Sequence, residues 1–236
     1  MKHFIHYSAI LAAAAICLTS CLKPDPILHT GTEICNVLGP TSLVTDNGAR
    51  LNVIENLGDP LTADMKRIIV DCDVMRPETE DQEVYDIRIR SYAPFEIKDA
   101  VFRSSSDDAA LGDDCITVDA AWLGGGYINA LTTITELKDS ETVHEVNLMF
   151  DDTRSGQDTL YFKFRHNAFG ESYDNPELSD SKLITSGLYF SFPFEELLPS
   201  GCKSIIIHLE NDCFVTINNI LTRDRTTCSG NLKYTE

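Results

Sequence analysis

The chain has 236 residues, 43% of them hydrophobic, and its 37 Asp and Glu against 19 Lys and Arg give a formal net charge of −18. So large an acidic excess excludes nucleic acid as a partner, because phosphates are met by a basic stripe, and it excludes an electrostatic hold on anionic lipid. The length fits two small domains or one large β domain.

In chain order, the first element is a signal. Lys2 is the only Lys or Arg before position 21, an apolar run from Ala9 to Leu18 follows, and small residues lead into Cys21. A positive start, a short apolar run and a small-residue cleavage site describe a secretory signal peptide over 1–20. An apolar run of that length is too short to cross a bilayer as a helix. The order Leu18-Thr19-Ser20-Cys21 resembles the lipobox of bacterial lipoproteins. That resemblance implies that Cys21 receives a diacylglycerol, becomes the first residue after cleavage and is then acylated. The acyl chains are the partner of the membrane, since each buried methylene contributes about 0.8 kcal/mol and several chains hold where one does not. Residues 21–32, with two prolines and a glycine after the cysteine, read as a tether.

From Glu33 the pattern is that of short strands. "EICNVL" and "SLVTDNGARLNVIEN" read as strand, turn and strand around Asp46-Asn47-Gly48, since Asn-Gly between apolar runs signals a hairpin. "RIIVDCDVM" alternates, with Ile68, Val70, Cys72 and Val74 on one side, and "EVYDIRIRSYAPFEI" alternates again. Period two means half-buried antiparallel strands, and residues 33–108 are expected to form a small barrel or sandwich. The acidic, Gly-containing "RSSSDDAALGDD" at 103–114 reads as the boundary between domains. Strands resume at "CITVDAAWL", "GYINALTTITEL", "HEVNLMF" and "TLYFKFRHN", then at "GLYFSFPF", "KSIIIHL" and "CFVTINNIL". The fold class is therefore all-β, with a β-sandwich over 109–230.

The chain has eight cysteines. Cys17 leaves with the signal and Cys21 carries lipid, so Cys35, Cys72, Cys115, Cys202, Cys213 and Cys228 remain. An exported chain sits where disulfides persist, and six thiols admit many pairings. None of the six stands in the close pairs that zinc favours. A turn at Glu210-Asn211-Asp212 would pair the strands on either side and bring Cys202 to Cys228, which is the bridge expected; Cys35 with Cys72 is the second expectation.

Two stretches are candidates for chemistry. "AWLGGGYIN" sets Gly124, Gly125 and Gly126 between Trp122 and Tyr127. Three glycines cost backbone entropy. They read either as a loop that a ligand or partner approaches closely, or as a tight corner between strands with Trp122 in the core. "FRHNAFGES" holds Arg165, His166 and Asn167 at a strand end. His166 reads either as an acid–base or ligating group, or as part of a strand-end turn in which Arg165 and Asn167 bond backbone. No nucleophile elbow or zinc-protease motif accompanies it. The acidic pairs Asp107-Asp108, Asp113-Asp114 and Asp151-Asp152, and Asp71 with Asp73, lack calcium-loop spacing, so neither a metal nor a cofactor is expected.

Together these strings resemble the NigD-like lipoproteins of the Bacteroidetes. "DNGARLNVIEN", "DMKRIIVDCDVM" with its basic residue before the apolar run, and "YDIRIRSYAPFEI" are similar to the family's first half. "AWLGGGYIN", His144 in "HEVNLMF", "LYFKFRHNAFG" and "LYFSFPFEEL" follow the order of its second half. The resemblance implies an N-terminal OB-type barrel, a C-terminal β-sandwich and a role in bacteriocin immunity. The reading as a whole is a lipid-anchored protein of the bacterial envelope, at the outer membrane and facing the periplasm. It is not an enzyme, and it recognises a protein or glycan partner. The alternative is a hydrolytic or metal-dependent enzyme built on His166 and nearby carboxylates.

Overall fold

Alternating residues close the first half of the chain on itself. The computed structural model describes residues 27–236 apart from 63, 77–82, 106–107, 174, 176, 179–181 and 218–219, so Cys21, the signal peptide and the start of the tether lie outside the described residues. Strands β1 (Ile27–Gly39), β2 (Ser42–Thr45), β3 (Arg50–Asn56), β4 (Arg67–Met75) and β5 (Val84–Pro94) form a closed barrel in the order β1-β2-β3-β5-β4. β1 is long enough to serve two neighbours, pairing antiparallel with β2 through Cys35–Gly39 and with β4 through Ile27–Asn36. β3 and β5 run parallel. This is the OB-type order, and closure removes the open sheet edges that invite stray pairing. Cys35, Leu43, Leu51, Ile68, Val70, Cys72, Ile87 and Ile89 fill the inside. The hairpin between β2 and β3 turns at Gly48, whose φ of 87° suits glycine.

The barrel begins earlier and ends earlier than the alternation suggested. Ile27 pairs with Met75 and Gly31 with Cys72, so β1 starts inside the stretch read as a tether. A ladder is held by backbone groups, and His29 and Thr30 stay exposed while paired. At the other end, β6 (Glu96–Ile97) already pairs in parallel with β12 (Leu183–Pro193), and β7 (Val101–Phe102) with β10 (Glu145–Phe150). The segment leaving the barrel thus supplies a strand to each sheet of the sandwich before the acidic stretch 103–114 begins. Within that stretch Arg103, Ser104, Ala110 and Asp113 are exposed and Leu111 is buried, and it carries the short helix α1 (Asp108–Leu111).

The remaining strands are β8 (Thr117–Gly124), β9 (Tyr127–Leu137), β11 (Thr159–Asn167), β13 (Ser204–Ile217) and β14 (Ile220–Thr235). They complete a four-stranded sheet, β6-β12-β9-β8, and a five-stranded sheet, β14-β13-β11-β10-β7. Ile128, Ile134, Leu148, Phe162, Phe190 and Ile207 fill the space between them. Phe164 and Phe192 meet edge to face across the sheets, with centroids 6.0 Å apart and planes at 75°, an arrangement that adds to their area burial.

The expected bridge from Cys202 to Cys228 is not made; Cys213 joins Cys228. β13 passes straight through Glu210-Asn211-Asp212 without turning. Asn211 is buried there, its amide donating to the carbonyl of Ile116 at 2.8 Å. The register then sets Cys228 opposite Asn211 and Cys213 opposite Thr226, so the two cysteines are diagonal neighbours. Cys202 precedes the far end of the ladder, where Ser204 faces Thr235. Cys202 is a free thiol, as are Cys35 and Cys72. Cys35 lies across from Ile68, and Cys72 from Gly31.

Candidate functional site: the barrel–sandwich junction

The three glycines turn the chain from β8 to β9. Gly124 pairs with Tyr127, and Gly125 and Gly126 between them have φ of 60° and 86°. Positive φ at both central residues is what a two-residue hairpin of the favoured twist requires. The turn also touches the barrel. A Cβ on Gly124 would collide with the Asp46 carboxylate, and one on Gly125 would stand 2.6 Å from Asp46 Oδ1 and 2.8 Å from Arg67 Nη1. What approaches Gly124 and Gly125 is therefore the barrel of the same chain. Trp122 is half-buried beside them, edge-on to Phe95 at 6.2 Å.

Arg67, the first residue of β4, is the centre of this contact and is fully buried. Its Nε donates to Asn129 Oδ1 at 3.0 Å and to Ser191 Oγ at 3.1 Å. Nη1 donates to Asn36 Oδ1 at 2.9 Å, and Nη2 to Asp46 Oδ2 at 2.7 Å and to the Gly124 carbonyl at 3.3 Å. The guanidinium lies 4.9 Å from the Tyr127 ring centre and 5.6 Å from that of Phe95. A buried cation costs heavily unless paired and bonded, and here barrel and sandwich each supply partners. Asn129 and Ser191 are cross-strand neighbours on β9 and β12, both fully buried.

Beside the turn opens a groove of about 470 Å³. Its lining includes Gly125, Gly126 and Tyr127 from the turn, Glu195 and Glu196, and Asp99 and Phe102. A side chain at Gly126 would press on the Glu195 carboxylate at 3.3 Å, so glycine there keeps the groove open. Carboxylates beside aromatic rings accept hydrogen bonds from hydroxyls and attract cations.

Arg165, His166 and Asn167 are not part of this junction. They end β11, where side chains alternate. His166 is 1% exposed. Its Nδ1 faces the Cys115 carbonyl at 2.9 Å. A carbonyl only accepts, so Nδ1 carries the proton and Nε2 accepts from His144 Nδ1 at 3.1 Å. His144 Nε2 in turn lies 3.5 Å from Glu171 Oε2, and Glu171 Oε1 accepts the hydroxyls of Ser140 and Thr142 at 2.7 Å each. Burial holds the His166 pKa below its usual 6.5. Arg165 Nε donates to the Gly112 carbonyl at 2.7 Å and Asn167 Nδ2 to that of Ala110 at 3.3 Å, so both side chains bond backbone. Asp114 accepts the Ala168 N–H at 2.7 Å. Asp71 and Asp73 pair with Arg90 and Arg88. Among the described residues, no three of His, Cys, Asp or Glu stand together as metal ligands.

Residues 99–198 match a family model, that of the NigD-like C-terminal beta sandwich domain. This part of the chain is a NigD-like domain. It holds the glycine turn, the groove's acidic wall and the His144–His166 pair, while Arg67, Asp46 and Asn36 come from the barrel outside it. Solved structures of similar fold include a NigD-like immunity protein from Bacteroides caccae, at 16% identity and a TM-score of 0.61, covering 88% of this chain and 98% of that one. A proposed lipoprotein from Bacteroides fragilis aligns at 13% identity and a TM-score of 0.58, over 88% of this chain and 99% of that one. A proposed toxin-related protein from Parabacteroides distasonis aligns at 17% identity and a TM-score of 0.58, over 88% and 94%. At such identities the likeness is one of fold. No curated protein matches the chain in sequence.

Proposed function

We propose that this is a lipid-anchored protein of the bacterial envelope that recognises a protein or glycan partner and performs no catalysis. The anchor is Cys21, acylated after removal of residues 1–20, at an outer membrane and facing the periplasm. The observation that carries the reading is the open groove beside the glycine turn, whose glycine, acidic and aromatic lining suits recognition. Immunity, the role named for the Bacteroides caccae protein, is one form such recognition takes. The hydrolytic alternative rests on His166, and a ring 1% exposed with both nitrogens engaged offers no atom to a substrate.

Two measurements test this. Cys21→Ala should leave a protein that no longer partitions with membranes, because acyl chains supply the grip; retention after high-salt washing overturns the anchor. A photo-crosslinking residue at Glu196 should trap a specific partner in native membranes, while one at Lys233, on the edge strand, should not. Equal trapping at both positions, or none at either, overturns the groove as the recognition site.

A further inference from the structure

The edges of the sandwich carry a second feature, independent of the groove. Of the four sheet edges, β6 and β7 are two residues long, and the β8 ladder is broken by a register shift between Val118 and Ala120. Shortness, bulges, charges and prolines keep further strands from adding to an edge. β14 has few of these guards. It ends the five-stranded sheet, and among the described residues no strand pairs with its other edge. From Thr226 to Thr235 its ladder with β13 runs without a shift, and Lys233 is the one charged residue in that span. The Glu236 N–H donates to the Lys203 carbonyl at 3.0 Å, which fixes the alternation along the ladder. The backbone groups of Thr227, Ser229 and Asn231 therefore point away from β13, to the open edge.

Along this edge lies a hollow of about 270 Å³, lined by residues 228–232 of β14, residues 118–121 of β8 and the core residues Phe164 and Leu209. Leu232 and Tyr234 pack against the core, so alternation turns Gly230 inward as well, opposite Leu209. A Cβ at Gly230 would meet nothing within 4 Å, and its φ lies outside the left-handed range. Neither backbone conformation nor packing within this chain requires glycine there, where it weakens the strand. A glycine so placed in a strand marks where another backbone comes close. We propose that an extended segment of a protein partner adds to β14 as a further strand and sets an apolar side chain into this hollow. Its backbone pairs with the outward groups of Thr227, Ser229 and Asn231, which supplies affinity, and the hollow supplies selection among side chains. Val118, Phe164, Leu209 and Leu232 give that hollow its apolar surface. A second copy of this chain fits less well, because two β14 strands paired about Gly230 would bring glycine to glycine and leave the hollow empty. Lys233 lies beyond the hollow, its side chain on the outward face.

The test uses the whole mature chain and dye-labelled synthetic peptides of the pattern Lys-Thr-X-Thr-X-Thr-Lys, with X as Val, Leu or Asp, followed by fluorescence anisotropy. The Val or the Leu peptide should bind saturably and at least tenfold more tightly than the Asp peptide. Gly230→Val fills the hollow from within. Its side chain enters open space, so the melting temperature should not fall, while peptide binding should weaken at least tenfold. Peptides methylated on alternate backbone nitrogens report the strand mode on unaltered protein: methylation of one alternate set should abolish binding and methylation of the other should spare it. No saturable binding, equal binding of the Asp peptide, equal effects of the two methylation patterns, or binding that Gly230→Val retains overturns the proposal. So does a concentration-dependent dimer in sedimentation that Gly230→Val abolishes while no peptide binds, which would give the edge to a second copy.

Discussion

Arg67 of the barrel and Gly125 of the sandwich meet so closely that a Cβ on the glycine would stand 2.8 Å from the arginine's Nη1. The glycine is needed twice over there, for its φ of 60° and for the space. Gly125→Val should therefore destabilise the protein by about 1–3 kcal/mol, the cost of a strained backbone, with the collision adding to it. Gly126→Ala is strained too, its φ being 86°, but it meets only the end of the flexible Glu195 side chain and should cost less. Urea midpoints for the two variants check the order, and an unperturbed Gly125→Val would refute the contact.

Arg67→Met removes the charge that Asp46, Asn36, Asn129 and Ser191 are arranged to meet. Stranding buried partners of an ion pair costs about 3 kcal/mol or more. Because those partners come from both domains, the variant should also uncouple them. Limited proteolysis should then open a new site near residues 94–101, which wild-type protein resists. Arg67→Lys keeps the charge but loses the fork, and should behave like the Met variant.

Acid should weaken the fold through His166. Its folded pKa lies below 6.5 because burial disfavours the imidazolium, with His144 adding to the effect. The unfolded chain then binds the extra proton first, so stability is unaffected above about pH 6.5 and falls as pH drops below it toward the folded value. Glu171, held below its usual 4.5 first by the Ser140 hydroxyl, adds a loss at lower pH, as pH falls through its folded value. Urea midpoints should hold nearly level from pH 7.5 to 6.5 and decline from 6.5 to 5.5 for wild type, and decline less for His166→Gln. A flat wild-type profile across that range would falsify the buried neutral ring.

Non-reducing peptide mapping should recover Cys213 linked to Cys228, with Cys202 alkylated. The bridge closes a loop with a sequence separation of 15, for which the chain-entropy estimate is about 3 kcal/mol. Replacing both cysteines by serine should cost about that much.

Cys35 and Cys72 should resist alkylation in the folded protein. Burial pushes their thiols up to about 12 and about 11, so little thiolate exists at pH 8. Labelling of these two should follow global unfolding in urea, while Cys202 labels without it.

Much of the architecture was legible because half-buried strands write their burial as alternation. β4 is the clear case, with Ile68, Val70, Cys72 and Val74 inside. The glycine turn was legible as unusual but not as a contact. Its partner, Arg67, lies 57 residues before Gly124, and nothing local distinguishes a buried arginine from an exposed one at a strand start. The turn placed at Glu210-Asn211-Asp212 failed for a related reason. Three polar residues usually mark exposed chain, yet Asn211 is buried because the Ile116 carbonyl lies within its reach, a pairing set by sheet order. The parallel placement of β13 on β11 leaves no mark in either strand. His166 was visible as a histidine at a strand end, and its enclosure by Cys115 and His144 was not.

The early start of β1 sets a length scale. Six peptide units separate Cys21 from Ile27, and at full extension they span roughly 20 Å. An acylated Cys21 would hold the barrel on so short a leash that it stays within one domain's width of the lipid. Such a protein would search for its partner across the plane of a membrane, where two surfaces sliding past each other meet far more often than solutes do in a volume.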